Sequence, residues 1–510
     1  MGFDSMRAYL AAVDKEGLLQ KINGADWKIE IGAITEAVAL SSAPRVLLFD
    51  SIQGYPAGFR VVTNLYSAQR LQAIALGLPD DVSTVELISR WRTRSKQLKP
   101  TKPRTVKDGP ILQNVIRGSD VNLLKFPVPL WREHDGGRYL GTGDVVVTRD
   151  LDEKWFNLGV YRAQLHDEKT LGIVILNNHH GHMHLEKFWK RGEDAPIAIV
   201  AGQDPHVYAA ACMALPWGQS EYDIAGAFNG GPVDLIIHEP TGLPVPATAE
   251  IAIFGRVPPP TKQLHDEGPF GECLGYYTGQ GPCPVVRVDE IWHRDDPILQ
   301  GSPTMHGSAM MHGLGAEIFN SAVIWESVER EVTGVVGVCS LYQQCQAGSS
   351  VVVVAVRQAF PGHAKQAALA ALASRGAALM NKAVIVVDHD VNPADPGEVM
   401  FAVTTRCNPS DDMDVIRGIP STFLDPRVPA DRRAAGDSTT STVIINACRP
   451  FPARDDYPRA NIISPGLKSD ILAKWGKELS VACGQSRTSN MSSRWPSSIA
   501  KSPNRLRPYS

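Results

Sequence analysis

Hydrophobic positions change their spacing along the chain, and each change predicts a different kind of element. Residues 6–22, MRAYLAAVDKEGLLQKI, carry apolar side chains at 6, 9, 10, 13, 18, 19 and 22. That is amphipathic-helix spacing. RVLLFD at 45–50 is a short unbroken apolar run and predicts a buried strand. KQLKPTKPRTVKDGP at 96–110 is rich in Lys and Pro and reads as a linker. From 111 to about 310, runs such as GDVVVTRD, LGIVILN, APIAIVAG, VDLIIHE, AEIAIFG and PVVRVDEIW recur between Gly, Pro and Asp breakers. They predict a β-rich, barrel-like domain. Beyond 320 the pattern becomes SSVVVVAV, the Ala-rich HAKQAALAALASRGAALM and KAVIVVDHD, a βαβ unit with a parallel sheet. The final stretch is rich in Ser, Arg and Pro without periodicity and reads as disordered. The expected fold class is therefore α/β (α+β). It comprises an N-terminal α/β segment (1–110), a β-barrel-like domain (111–320), a C-terminal α/β domain (321–480) and a tail (485–510).

Composition narrows the function more than the fold. A chain of 510 residues exceeds what one core normally holds. With 43% apolar and 21% charged residues it is ordinary globular material. A net charge of −3 gives no electrostatic reason to expect nucleic acid or an anionic membrane as partner. No apolar run approaches bilayer length, and the acid-bearing N-terminus lacks a signal peptide's basic start and long apolar core. The eight cysteines include no C-x-x-C pair, so a reducing, cytoplasmic setting is expected.

Candidate chemistry clusters in the central region. DEGPFGECLGYYTG (266–279) places Glu267 and Glu272 on either side of Gly-Pro-Phe-Gly, a segment suited neither to helix nor to regular strand. Both acids can point into one space, though a solvated surface turn would read the same. KWFNLGVYRAQLHD (154–167), taken as a strand, puts Asn157, Gly159 and Tyr161 on one face and Leu158, Val160 and Arg162 on the other. An arginine among apolar neighbours usually pairs with a carboxylate, often only structurally. NNHHGHMH (177–184), if extended, turns His180, His182 and His184 the same way, as in H-x-H metal hydrolases. In MALPWGQSEYDIAGAF (213–228), Glu221 follows a Pro-Trp-Gly turn. Asn157, one histidine of the 179–180 pair and Glu221 would make a mixed O/N/O set suited to Mn²⁺ or Mg²⁺ with open positions for phosphate oxygens.

Taken together, NLGVYRAQ, NNHHG, QSEYDIAGA, VPATAEI and EGPFGECLGYY, in this order and at these separations, resemble the UbiD-type decarboxylases. These are reversible aromatic and unsaturated-acid (de)carboxylases that use prenylated FMN. The resemblance runs from the N-terminal helix to about residue 475. It implies a split β-barrel flavin-binding core with a C-terminal α/β domain that oligomerises. It further implies metal ligation by Asn157, Glu221 and His179, or by His180 if no residue is deleted in KTLGIVI. Arg162 takes the place of the arginine that contacts cofactor and substrate carboxylate, and Glu267 and Glu272 take the places of the two acids of a Glu-Arg-Glu network. Flavin contacts are implied for Val160, Tyr161 and Arg162, for Asn178, His179, His180 and Gly181, and near Met213. Histidines 182 and 184 depart from the pattern. Implied cofactors are prenylated FMN and Mn²⁺ or Mg²⁺, with K⁺ as a further candidate ion. Implied partners are a small carboxylic acid, CO₂, a flavin prenyltransferase as supplier and copies of the chain itself (dimer or hexamer).

In such a site the arginine holds the anion, Glu272 donates the proton and Glu267 tunes the pair, while the cofactor takes the electrons left by CO₂. Two other readings stand beside this one: a metal-dependent hydrolase built on the 179–184 histidines, and a flavin-binding protein of the same fold without turnover.

Overall fold

The computed structural model describes residues 2–153, 155–213, 215–304, 316–341, 350–461 and 463–476. Residues 1–448 form one compact unit and 449–510 a second. The expected tail at 485–510 lies outside the described residues.

The central feature is a nine-stranded sheet. Its strands run in the spatial order Arg138–Gly141, Ala163–Leu165, Thr170–Ile173, Val285–His293, Ile251–Val257, Ala195–Ala201, Val145–Arg149 and Phe156–Gly159, with Asn114–Arg117 paired outside this path to Val285–His293. Chain connectivity decides its shape. Phe156–Gly159 lies at one end of this order and Ala163–Leu165 next to the other, six strand spacings away. In a flat sheet those spacings would amount to about 29 Å. Only residues 160–162 join the two strands, and four Cα steps reach at most about 14 Å. The sheet must therefore curl until its ends nearly meet. The result is an open barrel with 160–162 across the seam. Alternation fills both of its faces: Val145 and Val147 enter one buried cluster, Val146 the other.

Smaller sheets flank the barrel. Leu19–Asn23, Val46–Asp50 and Arg60–Thr63 form a sheet whose fourth strand, Ile298–Gln300, arrives from the far end of the barrel segment. Beyond the barrel, Val335–Ser340, Ser350–Val356, Asn381–Asp388, Thr440–Ala447 and Met413–Ile419 build a five-stranded sheet. Ser350–Val356 and Asn381–Asp388 pair in parallel, joined by the helix His363–Ala373 as the βαβ pattern predicts. The second unit contains the helix Pro465–Trp475.

Two local expectations need correction. The helix over 6–22 stops at Lys15. Gly17, at φ +67°, turns the chain, and Leu19–Asn23 pairs with Val46–Asp50 as a strand. The helix-like spacing of Leu18, Leu19 and Ile22 comes from a half-buried strand end. The 96–110 linker is also partly structured: Arg104–Thr105 pairs with Asp234–His238, and Arg104 bonds Asp234 at 2.7 Å through two nitrogens.

The first helix, Met6–Lys15, is pinned to the barrel by Arg7, whose Nε and Nη2 donate to the fully buried Glu250 at 2.8 and 2.7 Å. Arg294 adds a contact to Glu250 at 3.5 Å. The Arg7 side chain keeps 34% of its surface in solvent, so its loss of Glu250 costs about as much as a hydrogen bond to a charged group. Glu250→Ala should therefore lower the unfolding free energy by about 2 kcal/mol, measurable by denaturant titration.

Candidate active site

Arg162 leaves the barrel seam and lies between the two acids of the 266–279 loop. Its Nε and Nη2 donate to Glu267 Oε1 and Oε2 at 2.9 and 2.8 Å, a two-pronged pair, and its Nη1 donates to Glu272 Oε1 at 2.5 Å. All three side chains are nearly buried: 10% exposed for Arg162, 4% for Glu267 and 7% for Glu272. A guanidinium between two carboxylates satisfies both at the cost of desolvating three charges, and the geometry must be good for that to hold. Burial opposes the charge on Arg162 while Glu267 and then Glu272 favour it, and its pKa ends above the ordinary value.

Close packing shapes the acid loop. Gly268 adopts φ +88°, and a Cβ there would stand 2.6 Å from the Gly279 carbonyl. The Gly268 carbonyl in turn abuts Gly136, where a Cβ would lie 1.9 Å from it. The Phe270 N–H donates to Thr278 Oγ1 at 3.0 Å, Gly271 N–H to Asp135 Oδ1 at 3.1 Å, and the Thr304 hydroxyl donates to the Gly271 carbonyl. Phe270 is fully buried, with its ring 5.6 Å below the Arg162 guanidinium and 4.3 Å from the ring of Tyr139. The Tyr139 hydroxyl donates to Glu267 Oε1 at 2.8 Å. Gln164, opposite Tyr139 in the sheet, accepts the Gly268 N–H at 3.1 Å.

The neighbouring residue, Tyr161, gathers the other candidates. Its phenol lies beside the Asn157 side chain and the Gly181 backbone, it senses the charge of Glu221, and burial pushes its pKa up to about 12. Its ring lies 5.6 Å from that of His179. Asn157 and Glu221 are buried and His179 is exposed. Glu221 Oε2 accepts the Leu158 N–H at 2.8 Å, and burial pushes its carboxyl up to about 8. The Asn157 amide nitrogen has no hydrogen-bond partner among the described residues. A desolvated carboxyl beside an under-bonded amide and an exposed imidazole suits a hard divalent cation. The helices His180–Lys190 and Glu221–Asn229 both start without a side-chain cap, leaving N–H groups for anionic oxygens. The residues present thus fit a metal–phosphate group. Among the described residues no three His, Cys, Asp or Glu side chains form a metal set, and Asn157, His179 and Glu221 include only two side chains of those types. Val160 is part-buried against the core, Asn178 is exposed, and Met213 borders a cavity of about 320 Å³ with Trp91, Phe228 and Phe319.

The extended reading of the histidine run is overturned. Residues 180–190 form a helix because Leu185 and Phe188 recur at helical spacing on its buried face. His182 turns away to Trp189, while His180 and His184, four apart, pack around Trp155 and Trp217. His184 bonds Thr148 Oγ1 at 3.0 Å, and burial lowers its pKa to about 4. The strand reading of 154–167 also needs amendment, since it breaks at 160–162. Tyr161 still reaches Asn157, and Arg162 faces the acids.

Tyr139, Gln164 and Asp135 were not singled out from the sequence. RYLG reads as a short, mostly buried strand with nothing to mark its tyrosine, and only the pairing of Arg138–Gly141 with Ala163–Leu165 brings Tyr139 and Gln164 beneath Glu267.

Comparison with known proteins agrees with this geometry. The chain matches the 3-octaprenyl-4-hydroxybenzoate carboxy-lyase (UbiD) N-terminal domain over residues 10–91, its Rift-related domain over 104–307 and its C-terminal domain over 314–447. It is similar to the phenolic acid decarboxylase of Streptomyces sp. (strain D7), 30% identical over 94% of this chain and 98% of that one. The UbiD-class enzyme HmfF from Pelotomaculum thermopropionicum, solved in complex with FMN, is 29% identical and superposes with a TM-score of 0.80, covering 92% of this chain and 100% of that one. An evolved dimeric form of HmfF in complex with prFMN, 29% identical, superposes with a TM-score of 0.77 over 93% of this chain and 100% of that one. The α/β fold with a split barrel at its centre, expected from the sequence, is thereby shown.

Asp135 yields a pH test. Burial, opposed by the Gly271 N–H and by Arg132, raises its pKa to about 6. The unfolded chain releases this proton near pH 4, so the folded state binds more protons between those values and loses stability as pH rises through them. Asp135→Asn has no proton to lose. Its melting temperature relative to the parent should rise between about pH 4 and about pH 6, as read by thermal scans at each pH.

Proposed function

The chain belongs to the UbiD family of carboxy-lyases, and on that premise we propose that it catalyses reversible, non-oxidative decarboxylation of an aromatic, heteroaromatic or α,β-unsaturated acid with prenylated FMN. The naming of its relatives as phenolic acid decarboxylases favours a hydroxylated aromatic acid. The observation that carries the reading is Arg162 held between two buried glutamates at the barrel seam.

Arg162 uses three of its five N–H groups on the glutamates among the described residues. One N–H on each terminal nitrogen remains to orient a substrate carboxylate. Two ionised glutamates would repel that anion, so the substrate binds with one glutamate protonated. Glu272 is the better proton carrier: among the described residues its Oε2 meets only the Cys273 N–H, at 3.3 Å, whereas both oxygens of Glu267 are bonded to Arg162. When the carbon–carboxylate bond breaks, Glu272 transfers its proton to the carbon and becomes a carboxylate beside Arg162. Solvent then restores the proton. Asn157, His179 and Glu221 would hold Mn²⁺ or Mg²⁺ with the flavin phosphate at the neighbouring helix starts. Bound prenylated FMN supplies the electron sink for the pair that CO₂ leaves behind. A dimer or larger assembly in solution is part of the same reading, in keeping with the dimeric relative. The hydrolase alternative has lost its H-x-H geometry, and no observation favours it.

Two outcomes are expected. Protein co-expressed with a flavin prenyltransferase should release CO₂ from a panel of hydroxylated aromatic acids, whereas protein reconstituted with plain FMN should not. Equal activity with plain FMN would refute the cofactor assignment. Glu272→Gln keeps shape but carries no transferable proton, so turnover should fall by about 10²-fold or more with flavin absorbance unchanged. Near-parental turnover would remove Glu272 from the donor role.

A further inference from the structure

The hydroxyl of Tyr139 faces three acceptors: Glu267 Oε1 at 2.8 Å and, at 3.5 Å, Gln164 Oε1 and the Pro269 carbonyl. The orientation of Gln164 is settled by the Gly268 N–H, which can only donate and reaches Oε1 at 3.1 Å. The amide oxygen, which can only accept, is therefore the atom that points toward Tyr139. The phenol has one proton to give, and the short contact directs it to Glu267. The ring cannot readily turn away, being fully buried against Phe270, and the strand carrying it is held by the Trp131 Nε1–H, which donates to the Tyr139 carbonyl at 2.9 Å.

This contact makes the two glutamates unequal. Among the described residues Glu267 accepts three hydrogen bonds, from Arg162 Nε, Arg162 Nη2 and Tyr139, and Asp135, His166 and Cys283 also face it. Among the same residues Glu272 accepts one from Arg162 and a long one from its neighbour Cys273. Donors aimed at a carboxylate favour its charged form, and in a nearly dry site each counts for more than in water.

We propose that Tyr139 is the positioning residue that divides the labour of the two glutamates. Its hydroxyl keeps Glu267 a fully bonded anionic partner of Arg162 and so leaves the transferable proton to Glu272. The inference rests on the reading of Glu272 as proton donor. Without the hydroxyl, Glu267 more readily takes up a second proton beside the one on Glu272, and the enzyme enters this doubly protonated, inactive state at a higher pH.

The test is the pH profile of kcat for holoenzyme carrying Tyr139→Phe, with one substrate throughout and Glu272→Gln assayed alongside. Loss of one hydrogen bond to a charged oxygen is about a tenfold change in equilibrium. The acid limb should therefore move up by about one pH unit. KM, flavin absorbance and melting temperature should stay near the parental values. A role in packing alone would lower the melting temperature and leave the acid limb in place, and that result overturns the proposal. If Glu272→Gln is inactive while Tyr139→Phe keeps the parental limb, only the role of Tyr139 falls. If Glu272→Gln is as active as the parent, the donor reading falls and takes this inference with it.

Discussion

A three-residue bridge across the open edge of a β-barrel governs the arrangement of this protein. Phe156–Gly159 and Ala163–Leu165 sit near opposite ends of the central sheet and are joined by 160–162 alone. The sheet has to curl to accommodate so short a link, and the link itself cannot take up regular pairing on either side. Its backbone is thus largely outside the ladder, with the Arg162 carbonyl still accepting the Val174 N–H at 3.2 Å, while its ends are anchored in two strands. That combination sets buried side chains at defined positions without tying them to the alternation of a regular strand.

The consequences differ for adjacent residues. Tyr161 turns toward Asn157, His179 and Glu221, while Arg162 turns toward Glu267 and Glu272. A single peptide unit therefore connects the part of the site that suits a metal and phosphate with the part that suits proton transfer. Any shift of the seam would displace Tyr161 and Arg162 together. The Tyr139 hydroxyl and the Asp135 carboxyl then brace the acid loop from the neighbouring strand and turn.

Much of this was legible in the amino-acid order. Runs such as GDVVVTRD and APIAIVAG became barrel strands, the Ala-rich segment became the crossover helix of a βαβ unit, and Arg162, Glu267 and Glu272 do meet. The errors have physical causes. Leu18, Leu19 and Ile22 fall at helical spacing, but a glycine with positive φ intervenes and strand pairing wins. The histidines of 177–184 alternate like strand residues, yet apolar positions downstream, at Leu185 and Phe188, demand a helix. Tyr139 carries no local signal, because nothing in RYLG reveals which loop will fold over it. Long-range pairing supplies that information, and local patterns do not carry it.

Gly136 shows how far such long-range constraint extends. Its missing side chain is the space occupied by the Gly268 carbonyl, so the loop bearing both acids is moulded by an absence on another segment. Two glycines more than a hundred residues apart behave as one steric unit. Neither can be varied alone without forcing a backbone shift. A side chain at Gly136 would therefore be felt at Glu267 and Glu272, on a segment it does not belong to.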